Sequence, residues 1–235
     1  KNAKAIIFEV NTFGGRVDAA TQIKDAILDS KVPTVAFINK RAISAGALIS
    51  LSCEKVFMAG GATIGATTAV DMQGNKASEK VISYMREEMA ATAEKRGRDK
   101  YIARGMVDEE LEFPNEVVKE FINDGQVVDT IKTKVYYLVI DGDTVIVDDI
   151  EGRKQGNLIT LTTEQSLKYK IADASIENFE AVLDTLGFSN LVVNKTTENW
   201  SENFVRFLTN PVVASLLTTF GFLGILFELQ SPGWG

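Results

Sequence analysis

Ser44 lies in a run of small residues, 42–46 (Ala-Ile-Ser-Ala-Gly), where a substrate backbone has room to approach its hydroxyl. A serine hydroxyl acts as a nucleophile only when a base removes its proton, and the usual base is the imidazole of histidine. The 235 residues include no histidine. The base for Ser44 is therefore expected to be a lysine held in its neutral form, or a carboxylate.

The residues before Ser44 predict a βαβ unit. Residues 5–10 form a short apolar run that leads to the glycine pair 14–15, residues 18–29 have helical apolar spacing, and residues 32–38 are a second strand-like run. A strand, a helix and a strand in this order imply a parallel sheet. Ligands of such α/β proteins collect at the carboxyl ends of the strands. The glycine pair and Ser44 both follow a predicted strand.

This placement favours an acyl-transfer site. The backbone N–H groups of Gly14 and Gly15 lack side-chain cover and can point at a developing oxyanion. Ser44 begins a predicted helix over 44–52, so its hydroxyl lies near the positive end of that helix, and Ala45 offers a second N–H donor. Each feature alone has a structural explanation, a tight turn for the glycines and an ordinary N-cap for the serine. Their combination favours catalysis.

Composition excludes several other functions. The net charge of −7, with scattered lysines and arginines, argues against nucleic-acid binding. The single cysteine, Cys53, excludes an intrachain disulfide and lies in an apolar run, which predicts a buried, inert thiol. Without histidine or further cysteine no zinc site is expected, and no cofactor is indicated.

The rest of the chain continues the α/β pattern and then changes character. Residues 200–208 are amphipathic, and residues 211–227 carry no charge, which is at the short limit for a bilayer span. Sequence alone leaves a membrane segment and a buried core helix equally open. We expect one domain over 1–195, a hydrophobic segment over 196–235, and a chain that is a piece of a longer protein. Further predicted elements are a strand at 55–59, a small-residue turn at 60–66, helices at 79–96 and 100–106, a hairpin at 135–150 without an assigned role, a strand at 158–161, and helices at 164–169 and 176–186.

Three blocks resemble a known superfamily. Residues 13–17 (Phe-Gly-Gly-Arg-Val), 42–46 and 63–66 (Thr-Ile-Gly-Ala) are similar to the matching blocks of ClpP/crotonase proteins. More closely, they resemble the membrane-bound serine proteases of the NfeD family, relatives of signal peptide peptidase A. The resemblance covers nearly the whole chain, since it extends through residues 95–99, 103–108, 156–173 and 221–233.

The resemblance implies an α/β fold of the ClpP/crotonase type, a spiral of βαβ units that forms homo-oligomers. It implies a serine endopeptidase with a Ser–Lys dyad, in which Ser44 is the nucleophile and Gly14, Gly15 and Ala45 hold the oxyanion and substrate. The implied substrates are apolar segments of membrane proteins, with a stomatin- or flotillin-like partner. The tail would enter the cell membrane through 211–227, with the protease domain on the extracytoplasmic side.

Two lysines are candidates for the general base of the implied dyad. Lys80 begins the long predicted helix and has an apolar helix face available to bury its stem, so it is our first choice. Lys76, one turn earlier, is the second. Desolvation can lower a lysine pKa by about 3–5 units, which a base near neutral pH needs. For either lysine the structural alternative is a solvated charge at the start of a helix.

Two rival functions remain open at this point. An acyl-CoA enzyme of the crotonase type would share the oxyanion glycines, but it needs no serine nucleophile and commonly uses glutamate as acid and base. A membrane scaffold with little turnover would use the same fold to organise a stomatin-like assembly. A serine-directed covalent label separates these functions, because only the protease would react at Ser44.

Overall fold

The structure is a computed structural model that describes residues 3–68, 70, 76–111, 117–123, 126–133, 137–140, 142–146, 156–196 and 200–230. The chain divides into two compact units, Lys1–Ser189 and Asn190–Gly235, and each is described by itself.

The first unit contains ten strands and six helices within these described ranges. In chain order they are β1 (Ile6–Thr12), α1 (Val17–Leu28), β2 (Thr34–Ile43), α2 (Ala45–Ser52), β3 (Lys55–Met58), β4 (Thr63–Gly65), α3 (Glu79–Lys95), α4 (Lys100–Gly105), β5 (Val117–Asn123), β6 (Gln126–Thr133), β7 (Tyr137–Ile140), β8 (Asp143–Ile146), β9 (Thr160–Thr162), α5 (Thr163–Lys168), β10 (Ala174–Ser175) and α6 (Phe179–Thr185).

The long strand β2 is the centre of the main sheet. The sheet has the order β10-β3-β2-β4-β9, and β1 also pairs with β2. The strands β1, β3 and β4 all run parallel to β2, and β9 pairs antiparallel with β4. The first half of β2 pairs with β3 through Val35–Ile38, and its last residues, Arg41–Ile43, pair with β4. This arrangement confirms the predicted βαβ organisation.

Alternation along β2 divides its side chains between two apolar cores. Successive side chains of a strand point to opposite faces of the sheet. Ala36 and Ile38 join the larger core, which also contains buried residues of α2, α3 and α4. Val35 and Phe37 join a smaller core on the other face, which includes Val182 of α6. The first half of β2 is therefore buried on both faces, and its last residues before Ser44 are held by pairing with β1 and β4.

An ion pair joins α1 to α3. The Lys24 side chain is buried, and its Nζ lies 2.5 Å from Glu88 Oε2 and 2.8 Å from Asp25 Oδ1. These carboxylates raise the pKa of Lys24 although burial opposes the charge, so the pair remains ionic. The contact matters for the site because α1 follows the glycine pair 14–15 and α3 begins at the candidate base.

Most predicted elements are present, with two corrections. The predicted turn at 60–66 contains strand β4, which is too short to show its own pattern and exists through pairing with β2 and β9. The helix predicted at 176–186 begins only at Phe179, because β10 precedes it and Asn178 caps it, accepting the Ala181 N–H at 2.9 Å.

The predicted hairpin at 135–150 is present as β7 and β8, which pair antiparallel from Tyr137↔Ile146 to Ile140↔Asp143. A second hairpin, β5 and β6, precedes it and was not predicted. Residues 135, 136, 141 and 147–150 of the predicted hairpin segment lie outside the described residues.

The second unit consists of two helices in its described part, α7 (Trp200–Thr209) and α8 (Pro211–Gln230). The rings of Trp200 and Phe204 stack in α7 at 5.4 Å. Asn210 caps α8 by accepting the Val212 N–H at 3.0 Å. Of the described residues, only α8 is long and apolar enough to cross a membrane by length and composition, with a mean hydropathy of 2.0 and none of its residues buried.

Candidate active site

Ser44 occupies a sharp turn between β2 and α2. Its backbone has φ 56° and ψ −120°, a conformation that costs energy for a residue with a side chain. Its N–H donates to the Gly65 carbonyl at 3.0 Å. The hydroxyl makes no capping hydrogen bond with α2, so an ordinary N-cap does not explain the serine. A strained serine between a strand and a helix is the geometry that exposes a nucleophilic hydroxyl.

The structure brings Gly14 against Ser44. A Cβ placed on Gly14 would lie 2.7 Å from Ser44 Cβ and 3.1 Å from Ser44 Oγ, closer than side chains tolerate. Gly14 also has φ 127°, which favours glycine. The carboxyl ends of β1 and β2 therefore meet as the sequence predicts, and Gly14 lies directly beside the Ser44 side chain.

The residues that follow Gly14 and Ser44 in the chain each have a backbone N–H without an acceptor among the described residues. The Gly14 N–H is already used, since it donates to Thr12 Oγ1 at 3.0 Å. The N–H groups of Gly15 and Ala45 donate to no acceptor within the described part of the chain. Ala45 is the first residue of α2, so its N–H adds to the positive end of the helix. Gly15 and Ala45 thus retain the donors that an oxyanion needs.

The lysines are not assembled with the serine. Lys80 lies in the first turn of α3, is exposed, and makes no hydrogen bond or ion pair with Ser44 or with any other described residue. Lys76 is exposed, and its Nζ lies 2.7 Å from Glu109 Oε1. The hydrogen bond with this carboxylate raises the pKa of Lys76, which is the opposite of what a general base requires.

A groove lies between the start of α1 and the start of α3. It has a volume of about 810 Å³, and Arg16, which follows Gly15, and Val81, which follows Lys80, both line it. The groove is therefore lined by the residues that follow Gly15 and Lys80 in the chain, and its lining includes none of Ser44, Gly15 or Lys80 themselves. Its remaining lining residues are Val17, Asp18, Thr21, Gln22, Val70 and Tyr84.

Two polar contacts mark the rim of the site. Arg16 and Asp18 form an exposed pair at 2.7 Å, and this guanidinium is the main cause that lowers the pKa of Asp18 to about 2. The Arg41 guanidinium lies over the Phe13 ring, 4.4 Å from its centroid, and Phe13 is 74% exposed.

Cys53 is buried, and burial raises its pKa to about 12, which confirms the predicted inert thiol. Within the described residues, no three His, Cys, Asp or Glu residues lie close enough together to hold a metal ion.

Thr12 and Tyr84 were not among the predicted site residues. Tyr84 lies within helix α3, and no sequence pattern distinguishes it from the other residues of that helix. Thr12 stands two residues before Gly14, a spacing at which a threonine hydroxyl bonds a nearby backbone group, so this signal was available.

A parallel α/β sheet whose central strand ends at a strained serine beside a glycine loop matches the fold class that the resemblance implies. The chain belongs to the NfeD1b family, because the family model described as "NfeD1b, N-terminal domain" matches residues 1–123. The family resemblance drawn from the sequence blocks is thereby confirmed.

Two characterised sequences are similar over the full chain. "Membrane protein NfeD1b" of Bacillus subtilis is 32% identical over 234 residues, covering 100% of this chain and 46% of its own length. "Membrane-bound protease PH1510" of Pyrococcus horikoshii is 29% identical over 242 residues, covering 99% of this chain and 47% of its own length. The chain therefore spans about half the length of these relatives.

Solved structures share the fold. A lysine-to-alanine variant of the 1510-N membrane-bound stomatin-specific protease, in complex with a substrate peptide, has a TM-score of 0.60 at 21% identity, covering 88% of this chain and 84% of that one. A serine-to-alanine variant has a TM-score of 0.53 at 23% identity, covering 77% of this chain and 69% of that one. The predicted α/β fold class is confirmed.

Proposed function

We propose that this chain is a serine endopeptidase with Ser44 as nucleophile and Lys80 as general base. The observation that carries the proposal is the backbone of Ser44, held at φ 56° with an uncapped hydroxyl against the Gly14 backbone. A fold maintains such strain when the surrounding contacts over-determine it, and strained residues of this kind cluster at active sites. A serine that served only to cap α2 would make the cap bond.

The reaction follows from these groups. Neutral Lys80 takes the hydroxyl proton as Ser44 Oγ bonds to the peptide carbonyl carbon, and the carbonyl oxygen becomes an oxyanion held by the Gly15 and Ala45 N–H groups. The C–N bond breaks when Lys80 returns the proton to the leaving amine, which leaves an acyl ester on Ser44. Water then attacks this ester with Lys80 as base, the bond between the acyl carbon and Ser44 Oγ breaks as Lys80 returns the proton to Oγ, and the acid product leaves.

The contacts of the two lysines support Lys80 over Lys76, and the comparison with 1510-N supports the residue types of the dyad. Lys76 is held by Glu109, and its pKa is raised. Lys80 has no competing carboxylate partner within the described residues, and Val81 beside it lines the groove. The 1510-N protease, whose fold this chain shares, was solved as a serine-to-alanine and as a lysine-to-alanine variant, the two residue types of the proposed dyad.

The proposed substrate is an apolar segment of a membrane-associated protein. Val17, Val70, Val81 and Tyr84 give an apolar lining to the groove between the start of α1 and the start of α3. The Pyrococcus horikoshii protease is named for its specificity for a stomatin homologue. A stomatin- or flotillin-like protein is accordingly the partner proposed for this chain.

We place the chain at the cell membrane, with α8 as the anchor, the catalytic unit on the extracytoplasmic side and a homo-oligomeric assembly. The apolar residues of α8 surround the whole helix, which suits hydrocarbon better than a one-sided protein contact.

Truncation after Asn199 tests whether α8 is the membrane anchor. The full chain should partition into liposomes and the truncated chain should not; equal partitioning would make α8 a core helix.

The decisive test of the nucleophile is a fluorophosphonate label combined with a peptidase assay. The parent chain should be labelled at Ser44 and cleave an apolar peptide, whereas Ser44→Ala should lose both, with cleavage falling by about 10³-fold or more. Ser30→Ala is the matched control, since the Ser30 hydroxyl bonds the Val32 carbonyl at 2.7 Å, away from the site. Equal cleavage by Ser44→Ala and the parent would refute the proposal, and an unlabelled, inactive parent that binds a stomatin-like protein would favour the scaffold.

A further inference from the structure

Thr12 contacts both halves of the site that surrounds Ser44. Its Oγ1 accepts the Gly14 N–H at 3.0 Å and donates to the Gly14 carbonyl at 3.2 Å. Its methyl group faces α2, where a Cβ placed on Gly46 would lie 2.5 Å from Thr12 Cγ2. One side chain therefore fixes the glycine loop and packs on the helix that begins directly after Ser44.

A register shift in the sheet puts Thr12 in this position. Val10 pairs with Ile38, but Thr12 pairs with Ala42, so β2 has extra residues in this interval. Such irregularities re-aim side chains and often occur next to active sites. The shift brings the last residue of β1 beside Ala42, two residues before Ser44.

The hydrogen bond decides which amide is available. Gly14 and Gly15 follow each other, and either N–H could in principle face an oxyanion. Because the Thr12 hydroxyl takes the Gly14 N–H, the free donor of this loop is the Gly15 N–H. A loop without this bond would have two competing donors and no fixed orientation. Preorganised donors are what an oxyanion site requires, since they need no rearrangement during the reaction.

We infer that Thr12 is a positioning residue of the oxyanion site: its hydroxyl engages the Gly14 N–H so that the Gly15 N–H is presented beside Ser44. This inference rests on the proposed peptidase function. The hydroxyl orients the loop, while the methyl group packs against Gly46 and stabilises the fold. The two parts of the side chain therefore have separable effects.

Two conservative variants separate them. Thr12→Val keeps the methyl packing and removes the hydroxyl, and Thr12→Ser keeps the hydroxyl and removes the methyl. Thr12→Val should lower kcat on the order of 10- to 100-fold with KM unchanged, because a misplaced donor weakens only the transition state. Thr12→Ser should keep kcat and show a lower Tm. Thr185→Val is the matched control, since Thr185 Oγ1 bonds the Ala181 carbonyl at 2.8 Å in α6.

The rate of fluorophosphonate labelling at Ser44 and amide hydrogen exchange are measured on the same proteins. Thr12→Val should label more slowly and should exchange the Gly14 amide faster than the parent, whereas Thr185→Val should match the parent in both. Three results would each overturn the inference. They are a parent-like kcat in Thr12→Val, a fall in kcat of Thr12→Ser as large as that of Thr12→Val, and an unchanged rate of Gly14 amide exchange in Thr12→Val. Failure of the peptidase proposal itself looks different, because Ser44→Ala would then match the parent whatever residue stands at position 12.

Discussion

The two sides of the proposed dyad are built in different ways. On the nucleophile side, backbone atoms fix the geometry, with Gly14 so close to Ser44 that even a Cβ would not fit between them. On the base side, α3 begins with an exposed Lys80, and the nearby Lys76 is paired with Glu109. The segment before α3 includes residues 69 and 71–75, which lie outside the described residues.

The difference follows from what each side has to do. Backbone N–H donors can be aligned in advance because the sheet and α2 already order them, so substrate binding costs no further ordering there. A lysine works as a base only after desolvation lowers its pKa, and desolvation requires something to cover it. A peptide in the groove between α1 and α3 would cover the start of α3. We therefore expect the nucleophile side to be formed in the free protein and the base side to be completed by substrate.

The largest effect beyond loss of the serine itself is expected from Gly14→Ala. The new Cβ would lie 2.7 Å from Ser44 Cβ in a backbone with φ 127°, so the loop or the serine must move. We expect kcat/KM to fall by about 10²-fold or more, since small misplacements of reacting groups are costly. The measurement is steady-state peptidase kinetics with thermal unfolding alongside.

Gly187→Ala is the control for this change. Gly187 also has a positive φ of 72° but open space around its Cβ position, so its substitution introduces backbone strain without a clash at the site. It should lose stability while keeping activity. Parent-like activity of Gly14→Ala would mean that the nucleophile side is adaptable and not preorganised.

The contrast between the nucleophile side and the base side also explains which parts of the fold and the site could be predicted from the sequence. Ser44, Gly15 and Ala45 were predicted as site residues because strand and helix periodicity places them after the ends of neighbouring parallel strands. Strands β4 and β10 were missed because they have three and two residues and are stabilised only by sheet pairing. The bond of Thr12 to Gly14 could have been expected from its spacing, but the position of Thr12 beside Ala42 depends on a register shift that no local pattern reveals. Lys80 was ranked before Lys76 on its apolar helix face alone, because the ion pair of Lys76 joins residues 33 positions apart and has no local signal.

The next effect in size concerns the base. Lys80→Met, which keeps much of the apolar stem and removes the ammonium, should lower kcat by about 10²-fold, the low end of the usual contribution of a general base. Lys76→Met should keep most of the activity, because Lys76 is occupied by Glu109. Both variants are compared with the parent by peptidase kinetics over a range of pH.

The three possible patterns for the lysines have distinct meanings. Loss of activity in Lys76→Met alone would transfer the role of base to Lys76 and retain the dyad. Parent-like activity in both variants would end the Ser–Lys mechanism. A fall in Lys80→Met with unchanged fluorophosphonate labelling would indicate that Lys80 acts only once a peptide covers it, which is the strongest form of the contrast drawn above.

The smallest effect is expected at the exposed pair of Arg16 and Asp18, which tests whether the ordered nucleophile side extends past Gly15. Arg16 lowers the pKa of Asp18 from its ordinary 3.8 to about 2. The pair therefore stabilises the folded chain at pH values above 3.8, and this stabilisation is lost as the pH falls through 2. Asp18→Asn should therefore have a slightly lower Tm at neutral pH, and the gap from the parent should close between about pH 4 and pH 2. Both side chains are mostly exposed, so the gap should be small.

Asp29→Asn, which loses an exposed carboxylate that pairs with no described cation, controls for the change in net charge. If Asp18→Asn instead lowers activity as much as Gly14→Ala, the order of the oxyanion loop depends on this surface pair and not on the sheet. The nucleophile side would then not be formed by the sheet and α2 alone, and the contrast with the base side would be wrong.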